Sequence, residues 1–199
     1  MHQEVTYPQI IFLAGASGSG KTTLAKLLSI PQFNLDHFYR DDAPELPKLI
    51  GKTTDWDLPE VWDHELALEH LLELIKTGKT SYVKYDMVTA KKKDKFELEI
   101  APGTKYILCE GIFSYLIIPQ LQKMDLCTDI IWLSQNRRLN TVRRLKRDLR
   151  ENRASKAIAA YRSTILNLRD SKLKKKYLAL DARVMNFDSA LRYLSQYTN

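Results

Sequence analysis

The chain has 199 residues, of which 44% are hydrophobic, so it is long enough to bury the core of one α/β domain spanning residues 1–199. No run of about 18 apolar residues is present, which excludes a membrane-spanning helix. Residues Met1–Glu4 lack the basic-then-apolar pattern of a signal peptide, so none is expected. The two cysteines, Cys109 and Cys127, show no zinc-ligand spacing and predict reduced thiols in a cytoplasmic protein.

The net charge of +7 is unevenly distributed along the chain. Residues 36–73 carry eleven acids against three bases, whereas residues 137–153 carry eight bases against two acids. A basic stretch of this kind either captures an anion, such as a nucleotide or a nucleic acid, or forms a solvated helix face. The phosphate-binding loop described next favours capture, because a nucleoside triphosphate needs cations around its γ-phosphate.

The first predicted elements are a strand, Ile10–Ala14, then a glycine loop and a helix. The loop matches the pattern G-x-x-x-x-G-K-[ST], and its strand–loop–helix context distinguishes it from an ordinary Gly/Ser turn. Glycines let backbone N–H groups surround a phosphate, and the positive end of the helix dipole faces the anion. Lys21 is predicted to act at the β- and γ-phosphates as a catalytic residue, and Thr22 to bind Mg²⁺. The predicted nucleotide-binding residues of the loop are Gly15, Ala16, Ser17, Gly18, Ser19, Gly20, Lys21, Thr22 and Thr23.

Two acidic residues end predicted strands on the side of the sheet where the phosphate loop lies. Asp36 follows the short strand Gln32–Leu35, and Glu110 closes the buried strand that begins at Tyr106. Chemistry in open parallel sheets sits beyond the carboxyl ends of the strands, so Asp36 is placed to accept the proton of an attacking hydroxyl. The alternative for Asp36 is an N-cap or turn aspartate. Glu110 is placed to hold Mg²⁺ directly or through water.

Between these two acids the sequence predicts a loop, a helix and a small hairpin. Residues 41–58 have the composition of a loop, and a helix is predicted from Pro59, preceded by Asp57 or Leu58, to Gly78. Two strands, residues 80–86 and 96–100, are expected to form the hairpin. The lysine-rich residues 91–95 between them are expected to be a turn-like charged loop.

The second half of the chain predicts a short helix at residues 114–124, interrupted by Pro119, and a buried strand at residues 129–133. An arginine-rich helical lid at about residues 136–156 follows. This lid would bring arginines over a bound triphosphate and stabilise the charge on the transferred phosphoryl group. The lid arginines assigned to the nucleotide and its reaction are Arg143, Arg144 and Arg147.

The C-terminal part predicts a basic, mostly solvated helix at residues 155–180, a last strand at residues 182–187 and a final helix capped by Asp188. Taken together, the elements predict an α/β chain with the three-layer P-loop NTPase fold. Its parts are a mostly parallel central sheet, a small β-hairpin and an arginine-rich helical lid.

Several segments between residues 9 and 155 resemble, in order, the uridine kinase family of P-loop kinases, which is close to phosphoribulokinase and bacterial pantothenate kinase. The phosphate loop alone is shared by many NTPases, so the ordered series is the more specific signal. The segments that carry the resemblance are Gly15–Thr23, Asp36–Tyr39, Trp56–Asp63, Tyr85–Thr89, Cys109–Ile112 and Arg143–Asp148.

This resemblance implies transfer of the γ-phosphoryl group of ATP, with Mg²⁺, to a primary hydroxyl of a small molecule, here the 5′-hydroxyl of uridine or cytidine. It implies that Asp36 is the base, that Asp57 holds the ribose hydroxyls and that Tyr85 contacts the nucleobase. It also makes Arg147 a catalytic residue. Oligomers are common in the family, so a homo-oligomer is a further expectation, and a membrane partner is not. The implied substrate-binding residues are Asp36, Tyr39, Asp57, Tyr85, Arg147 and Arg153.

Two departures from the family pattern leave other functions open. Ala90 stands where uridine-type members carry a histidine that contacts the pyrimidine, and Glu151–Ala154 replaces the Glu-Arg-Gly-Arg of the lid. One alternative is therefore the same chemistry on pantothenate, a sugar or another riboside. The other, prompted by the net charge, is a P-loop NTPase switch associated with nucleic acid. The chain lacks an Asn/Thr-Lys-x-Asp guanine-reading motif, and nucleic acid is not the expected partner.

Overall fold

The computed structural model describes residues 7–41, 43–51, 53–87, 89–135, 140, 142, 143, 165 and 169–198. No helix in this part of the chain is long and apolar enough to cross a membrane. The strands are β1 (Gln9–Gly15), β2 (Gln32–Asn34), β3 (Lys48–Ile50), β4 (Thr53–Thr54), β5 (Lys79–Asp86), β6 (Lys91–Glu99), β7 (Tyr106–Glu110), β8 (Cys127–Leu133) and β9 (Arg183–Met185). The helices are α1 (Lys21–Leu27), α2 (His64–Thr77), α3 (Ile118–Lys123) and the C-terminal helix (Phe187–Leu194), and residues 169–178 are also helical.

A five-stranded sheet in the order β2-β7-β1-β8-β9 forms the centre of the described structure. Every neighbouring pair in this sheet is parallel, so the carboxyl ends of β1, β2 and β7 lie at the same edge. The β5–β6 and β3–β4 pairs form two separate antiparallel hairpins. The predicted α/β fold with a mostly parallel sheet and a small hairpin is thereby confirmed.

Strand β1 shows why the sheet is covered on both faces. Its central residues are fully buried, and alternate side chains enter two separate apolar clusters. Ile10, Phe12 and Ala14 pack with residues of α2 and α3, whereas Ile11 and Leu13 pack with residues of α1 and the C-terminal helix. A continuous apolar run is thus the pattern that a central strand between two helical layers requires.

The β5–β6 hairpin is longer than the sequence suggested. The lysine-rich residues 91–95, expected as a loop, belong to β6, where Lys91, Lys92 and Lys95 are paired with Asp86, Tyr85 and Val83. These charges are compatible with a strand because both residues 91 and 95 are solvent-exposed, so their ammonium groups stay in water. Residues 41–58 also contain more structure than predicted, since they include the β3–β4 hairpin.

Helix α2 begins later than the proline signal predicted. Pro59 starts a short 3₁₀ turn that ends at Val61, and the N-cap of α2 is Asp63, whose Oδ1 accepts a hydrogen bond from the Leu66 N–H at 3.2 Å. The chain is held extended at Trp62 because the buried indole donates its Nε1–H to the Leu35 carbonyl oxygen at 2.8 Å. The predicted end at Gly78 is correct, with a left-handed φ of 77°.

One C-terminal prediction was also wrong in detail. The C-terminal helix is capped by Asn186, whose Oδ1 accepts from the Ser189 N–H at 2.9 Å, and not by Asp188. The basic segment ending at residue 180, predicted to be mostly solvated surface, also carries the completely buried Tyr177. The predicted lid at about 136–156 lies outside the described residues except for Asn140, Val142 and Arg143, which are helical.

Replacing Asp63 with Ala is expected to lower the free energy of unfolding by about 1 kcal/mol, because the first turn of α2 loses its N-cap acceptor. Asp63→Asn should retain most of the stability, since an amide oxygen also caps a helix. Urea unfolding of both variants measures the difference. Arg40→Gln is the control for the long, exposed contact between Arg40 and Asp63, and its effect should be below about 0.5 kcal/mol. Equal losses in the Ala and Asn variants would contradict the capping role.

Candidate active site

The loop between β1 and α1 has the backbone that its glycines allow. Gly15, Gly18 and Gly20 have positive φ angles of 154°, 82° and 98°, which other residues rarely adopt. A Cβ atom on Gly15 would lie only 2.7 Å from the Leu133 carbonyl oxygen at the end of β8. Glycine at this position therefore lets the loop pass close to the sheet, and helix α1 begins directly after it at Lys21.

Lys21 lies across the inside of this loop. Its Nζ donates hydrogen bonds to the carbonyl oxygens of Gly15 at 2.8 Å and Ala16 at 3.3 Å. The side chain is thus already folded toward the loop, where an ammonium and the N–H groups of a helix start suit phosphate oxygens. Within the predicted loop the residues that line the open cleft are Ser17, Gly18, Gly20, Lys21, Thr22 and Thr23, whereas Gly15, Ala16 and Ser19 do not line it.

Thr22 and Glu110 meet across two elements of the fold. The Thr22 hydroxyl, in the first turn of α1, donates to Glu110 Oε2 at 3.2 Å, at the end of β7. Burial and then the nearby Asp36 charge raise the pKa of Glu110 above its ordinary value, while Lys21 and the Thr22 hydrogen bond oppose this shift. A hydroxyl and a carboxylate oxygen at this distance have the chemistry that Mg²⁺ prefers, so this pair fits the predicted metal site.

Asp36 lies in the 3₁₀ turn Leu35–Phe38 that directly follows β2. Its backbone N–H donates to Asn34 Oδ1 at 2.9 Å, so the side chain that caps this turn belongs to Asn34 and not to Asp36. A Cβ atom on Gly111 would lie 3.6 Å from Asp36 Oδ1 and 2.7 Å from Leu35 Cβ. Glycine after Glu110 therefore allows the Asp36 turn to pack against the end of β7, which brings the two carboxylates together.

An open cleft of about 1120 Å³ extends from the loop past these carboxylates to an aromatic wall. Tyr39, Trp56 and Tyr85 form this aromatic wall, with ring centroids 5.5 Å apart for Tyr39–Tyr85, 5.7 Å for Trp56–Tyr85 and 6.2 Å for Tyr39–Trp56. Asp57 and Arg143 also line the cleft. Tyr39 and Tyr85 are buried and Trp56 is partly exposed, so the indole is the most accessible ring of this wall to a planar ligand.

The structure brings most of the predicted site residues to this one cleft. The predicted residues that line it are Ser17, Gly18, Gly20, Lys21, Thr22, Thr23, Asp36, Tyr39, Asp57, Tyr85, Glu110 and Arg143. Arg144, Arg147 and Arg153 lie outside the described residues, so their predicted roles remain predictions. The strand-end residues Gly15, Asp36 and Glu110 were each predicted from one local signal, which is an acid or a glycine directly after an apolar run.

Trp56, His37 and Phe187 also line the cleft and were not predicted as site residues. Burial, and then the charge of Lys84, lowers the pKa of His37 to about 4, so the ring is neutral near pH 7. Its Nδ1 lies 3.1 Å from the Tyr82 hydroxyl. Trp56 had a sequence signal, its position directly before Asp57, whereas Phe187 is brought to Gly20 only by the docking of the C-terminal helix.

A glycine loop with an inward lysine, facing two carboxylates at the ends of neighbouring parallel strands, is the arrangement of a P-loop kinase. Residues 10–162 match the sequence pattern of the Phosphoribulokinase / Uridine kinase family, and the chain belongs to this family. Membership in this family implies that the protein uses a nucleotide.

Two curated relatives agree with this assignment, and a solved structure shares the fold. The uridine kinase of Oceanobacillus iheyensis is 30% identical over 152 residues, which cover 72% of this chain and 69% of that protein. The uridine kinase of Clostridium tetani is 30% identical over 151 residues, with coverages of 72% and 69%. A solved structure assigned as a fructose transport system kinase of Silicibacter sp. TM1040 has a TM-score of 0.55 at 19% identity, covering 93% of this chain and 90% of that one. This last likeness supports the fold alone.

Glu110→Gln is expected to raise the Mg²⁺ concentration needed for tight ATP binding about 10-fold or more, because the variant loses an anionic oxygen beside Thr22. In the unaltered protein the raised pKa of Glu110 means that its carboxyl is protonated at a higher pH than an ordinary glutamate. The apparent affinity for Mg²⁺ should therefore fall as the pH falls through that raised pKa. This loss of affinity at low pH should be absent in the variant.

Calorimetric titration of ATP at a series of Mg²⁺ concentrations and pH values measures both effects. Glu97→Gln is the matched control, since Glu97 is an exposed strand glutamate that pairs with Lys95 at 3.1 Å. A Glu110→Gln protein with unaltered Mg²⁺ dependence would show that this carboxylate does not serve the metal.

Proposed function

We propose that this protein is an ATP- and Mg²⁺-dependent kinase that phosphorylates the 5′-hydroxyl of a pyrimidine nucleoside, uridine or cytidine. The observation that carries the proposal is that one cleft holds the phosphate loop, two strand-end carboxylates and an aromatic wall. The loop fits a triphosphate, the carboxylates fit a metal and an attacking hydroxyl, and the wall fits a planar base.

At the nucleotide end, Lys21 exchanges its contacts with the Gly15 and Ala16 carbonyls for contacts with the β- and γ-phosphates. Thr22 and Glu110 would hold Mg²⁺ through their oxygens. Bound Mg²⁺ would supply positive charge that offsets the charge on the transferred phosphoryl group. The chain's own contribution is to fix the phosphate chain so that its terminal group points toward Asp36.

At the acceptor end, Asp36 takes the proton from the attacking hydroxyl. Its turn is anchored by the Asn34 side chain and by close packing against Gly111, so the carboxylate has a fixed position relative to Glu110. General-base catalysis requires this geometry, because the base must lie within hydrogen-bond reach of the hydroxyl. The neutral His37 next to it adds no competing positive charge near pH 7.

The aromatic wall and Asp57 support a nucleoside as the acceptor. Trp56, packed against the buried Tyr39 and Tyr85, offers stacking surface for a base, while the Asp57 carboxylate is suited to accept hydrogen bonds from ribose hydroxyls. The uridine kinases named above, at 30% identity, support the same substrate class.

Arginines of the lid complete the proposed site. Arg143 lines the cleft, and we assign it to the phosphates of ATP together with Arg144. Arg147 and Arg153 are proposed to act on the transferred phosphoryl group and the acceptor. Closure of such a helix excludes water, which limits loss of the phosphoryl group to hydrolysis.

A second acceptor class is favoured by one residue. Ala90, in the turn between β5 and β6, has a left-handed φ of 54° and offers only a methyl group where the resemblance implies a base-reading histidine. A riboside without a pyrimidine, a sugar or pantothenate would need no such contact. The catalytic roles of Lys21, Asp36 and Glu110 are the same for these acceptors.

An ADP-release assay with Mg-ATP and a panel of acceptors tests the proposed function. The panel contains uridine, cytidine, the purine ribonucleosides, pantothenate, ribulose 5-phosphate and glycerate. We expect ADP release that depends on uridine or cytidine. Release that depends only on another acceptor would overturn the pyrimidine assignment, and release that needs no acceptor or is stimulated by RNA would overturn the kinase proposal.

Asp36→Asn is expected to lower kcat by about 10²- to 10⁴-fold while ATP affinity stays within twofold, because the variant keeps the size of the side chain and loses the base. Steady-state kinetics and ATP calorimetry on the same preparation separate the two effects. Asp41→Asn is the control, since Asp41 is an exposed aspartate whose Oδ1 accepts a hydrogen bond from the Lys92 N–H. Near-normal turnover by Asp36→Asn would exclude Asp36 as the base.

A further inference from the structure

The helical residues 169–178 lie beyond the part of the chain that matches the family, which ends at residue 162. Arg169, Leu173 and Tyr177 recur every four residues, so they lie on one side of this helix. Leu173 packs against the larger apolar cluster, and Tyr177 belongs to it. The helix therefore continues the structure that supports the active-site cleft.

Arg169 forms a two-pronged ion pair with Asp55. Its Nη1 lies 2.8 Å from Asp55 Oδ1, and its Nη2 lies 2.8 Å from Asp55 Oδ2. The Asp55 side chain is only 3% exposed, whereas that of Arg169 is 32% exposed. Two parallel contacts between a guanidinium and a buried carboxylate fix both the orientation of the carboxylate and its distance from the arginine. A single point charge fixes only the distance.

Asp55 connects this ion pair to the wall of the cleft. Its Oδ1 also accepts a hydrogen bond from the Asp57 N–H at 3.3 Å, and its own N–H donates to the Pro47 carbonyl oxygen at 2.8 Å. Trp56 lies between these two aspartates and belongs to the aromatic wall. The carboxylate of Asp55 thus organises the short segment 55–57 that faces the cleft.

Tyr177 fixes the other end of the same helix. Its buried hydroxyl lies 2.8 Å from Ser114 Oγ, 3.0 Å from the Ile112 carbonyl oxygen and 3.3 Å from the Gly111 carbonyl oxygen. These groups follow Glu110 at the end of β7. Eight residues of helix span about 12 Å, so one rigid element connects the end of β7 with the segment 55–57.

We propose that Arg169 is a positioning residue for the acceptor. It holds the Asp55 carboxylate so that Trp56 and Asp57 stay in the place where they contact the acceptor, beside Tyr39 and Tyr85. The proposal rests on the proposed function, because that function assigns this wall to the acceptor. Arg169 makes no assigned contact with ATP, so its removal should affect acceptor binding and leave nucleotide binding intact.

Steady-state kinetics of Arg169→Gln, with ATP and acceptor varied separately, tests the role. We expect the KM for the acceptor to rise about 10- to 100-fold and the KM for ATP to change less than twofold. Arg169→Lys should recover part of the loss, because it restores the charge without the fork. The double variant Arg169→Gln, Asp55→Asn should have a KM for the acceptor no higher than that of the more affected single variant, because both substitutions remove the same contact.

Arg183→Gln is the matched control. Arg183 lies on strand β9, away from the segment 55–57. Its Nε contacts Oδ1 of another buried carboxylate, Asp129, at 3.2 Å, and the substitution removes this guanidinium. This variant should leave both KM values unchanged. Arg169→Gln kinetics like those of the control, or an equal rise in both KM values, would overturn the positioning role.

Hydrogen exchange provides a readout that needs no acceptor. In Arg169→Gln, peptides covering residues 53–62 should exchange faster, while those covering the phosphate loop should be unaltered. Unaltered exchange at 53–62 would overturn the proposal. The acceptor panel on the unaltered enzyme decides the proposed function independently, and if it identifies another acceptor, the same KM test is run with that compound.

Discussion

The hydrogen bond from Thr22 to Glu110 is the contact on which the rest of the site depends. It joins the first turn of α1 to the last residue of β7, which fixes the phosphate loop relative to a strand-end carboxylate. The sheet supports this contact from both sides, because Glu110 pairs with Leu13 of β1 and with Asn34 of β2. Three neighbouring parallel strands therefore bring the loop, Glu110 and Asp36 to one edge, where loop chemistry is expected in open sheets.

Like charges lie close together at this edge of the sheet, and Lys21 compensates them only in part. Two neighbouring carboxylates in a partly buried place are unfavourable, and the raised pKa of Glu110 expresses that cost. Lys21 offsets part of it, while its ammonium also contacts backbone carbonyls of the loop. A divalent cation would neutralise the carboxylates, and phosphate oxygens would replace the loop carbonyls as the partners of the Lys21 ammonium. The arrangement is thus complementary to a metal and an anion together, which is what Mg-ATP provides.

The phosphate end of the cleft could be predicted from the sequence because its signals are local. The apolar runs before Gly15 and Glu110 and the spacing of the glycines determine where those strands end. The start of α2 could not be predicted, since a hydrogen bond from Trp62 to the distant Leu35 carbonyl overrides the signal of Pro59. The strand character of residues 91–95 was missed for a related reason, because pairing with β5 is a long-range contact that composition does not record.

The acceptor end is built differently, and this explains why its substrate is harder to infer. Its wall combines the turn after β2, the segment 55–57, the end of β5 and, through Asp55, the helix at 169–178. None of these is held by the register of the central sheet beyond β2. Other contacts position them, among them the ion pair of Arg169 with Asp55 and the backbone bridge between Tyr39 and Trp62. The lysines around Tyr177 gave the helix the composition of a solvated surface, although its buried face carries Tyr177 and the contact to Asp55. Under the proposed function, phosphoryl transfer depends on the sheet and its loops, whereas acceptor choice depends on these peripheral elements.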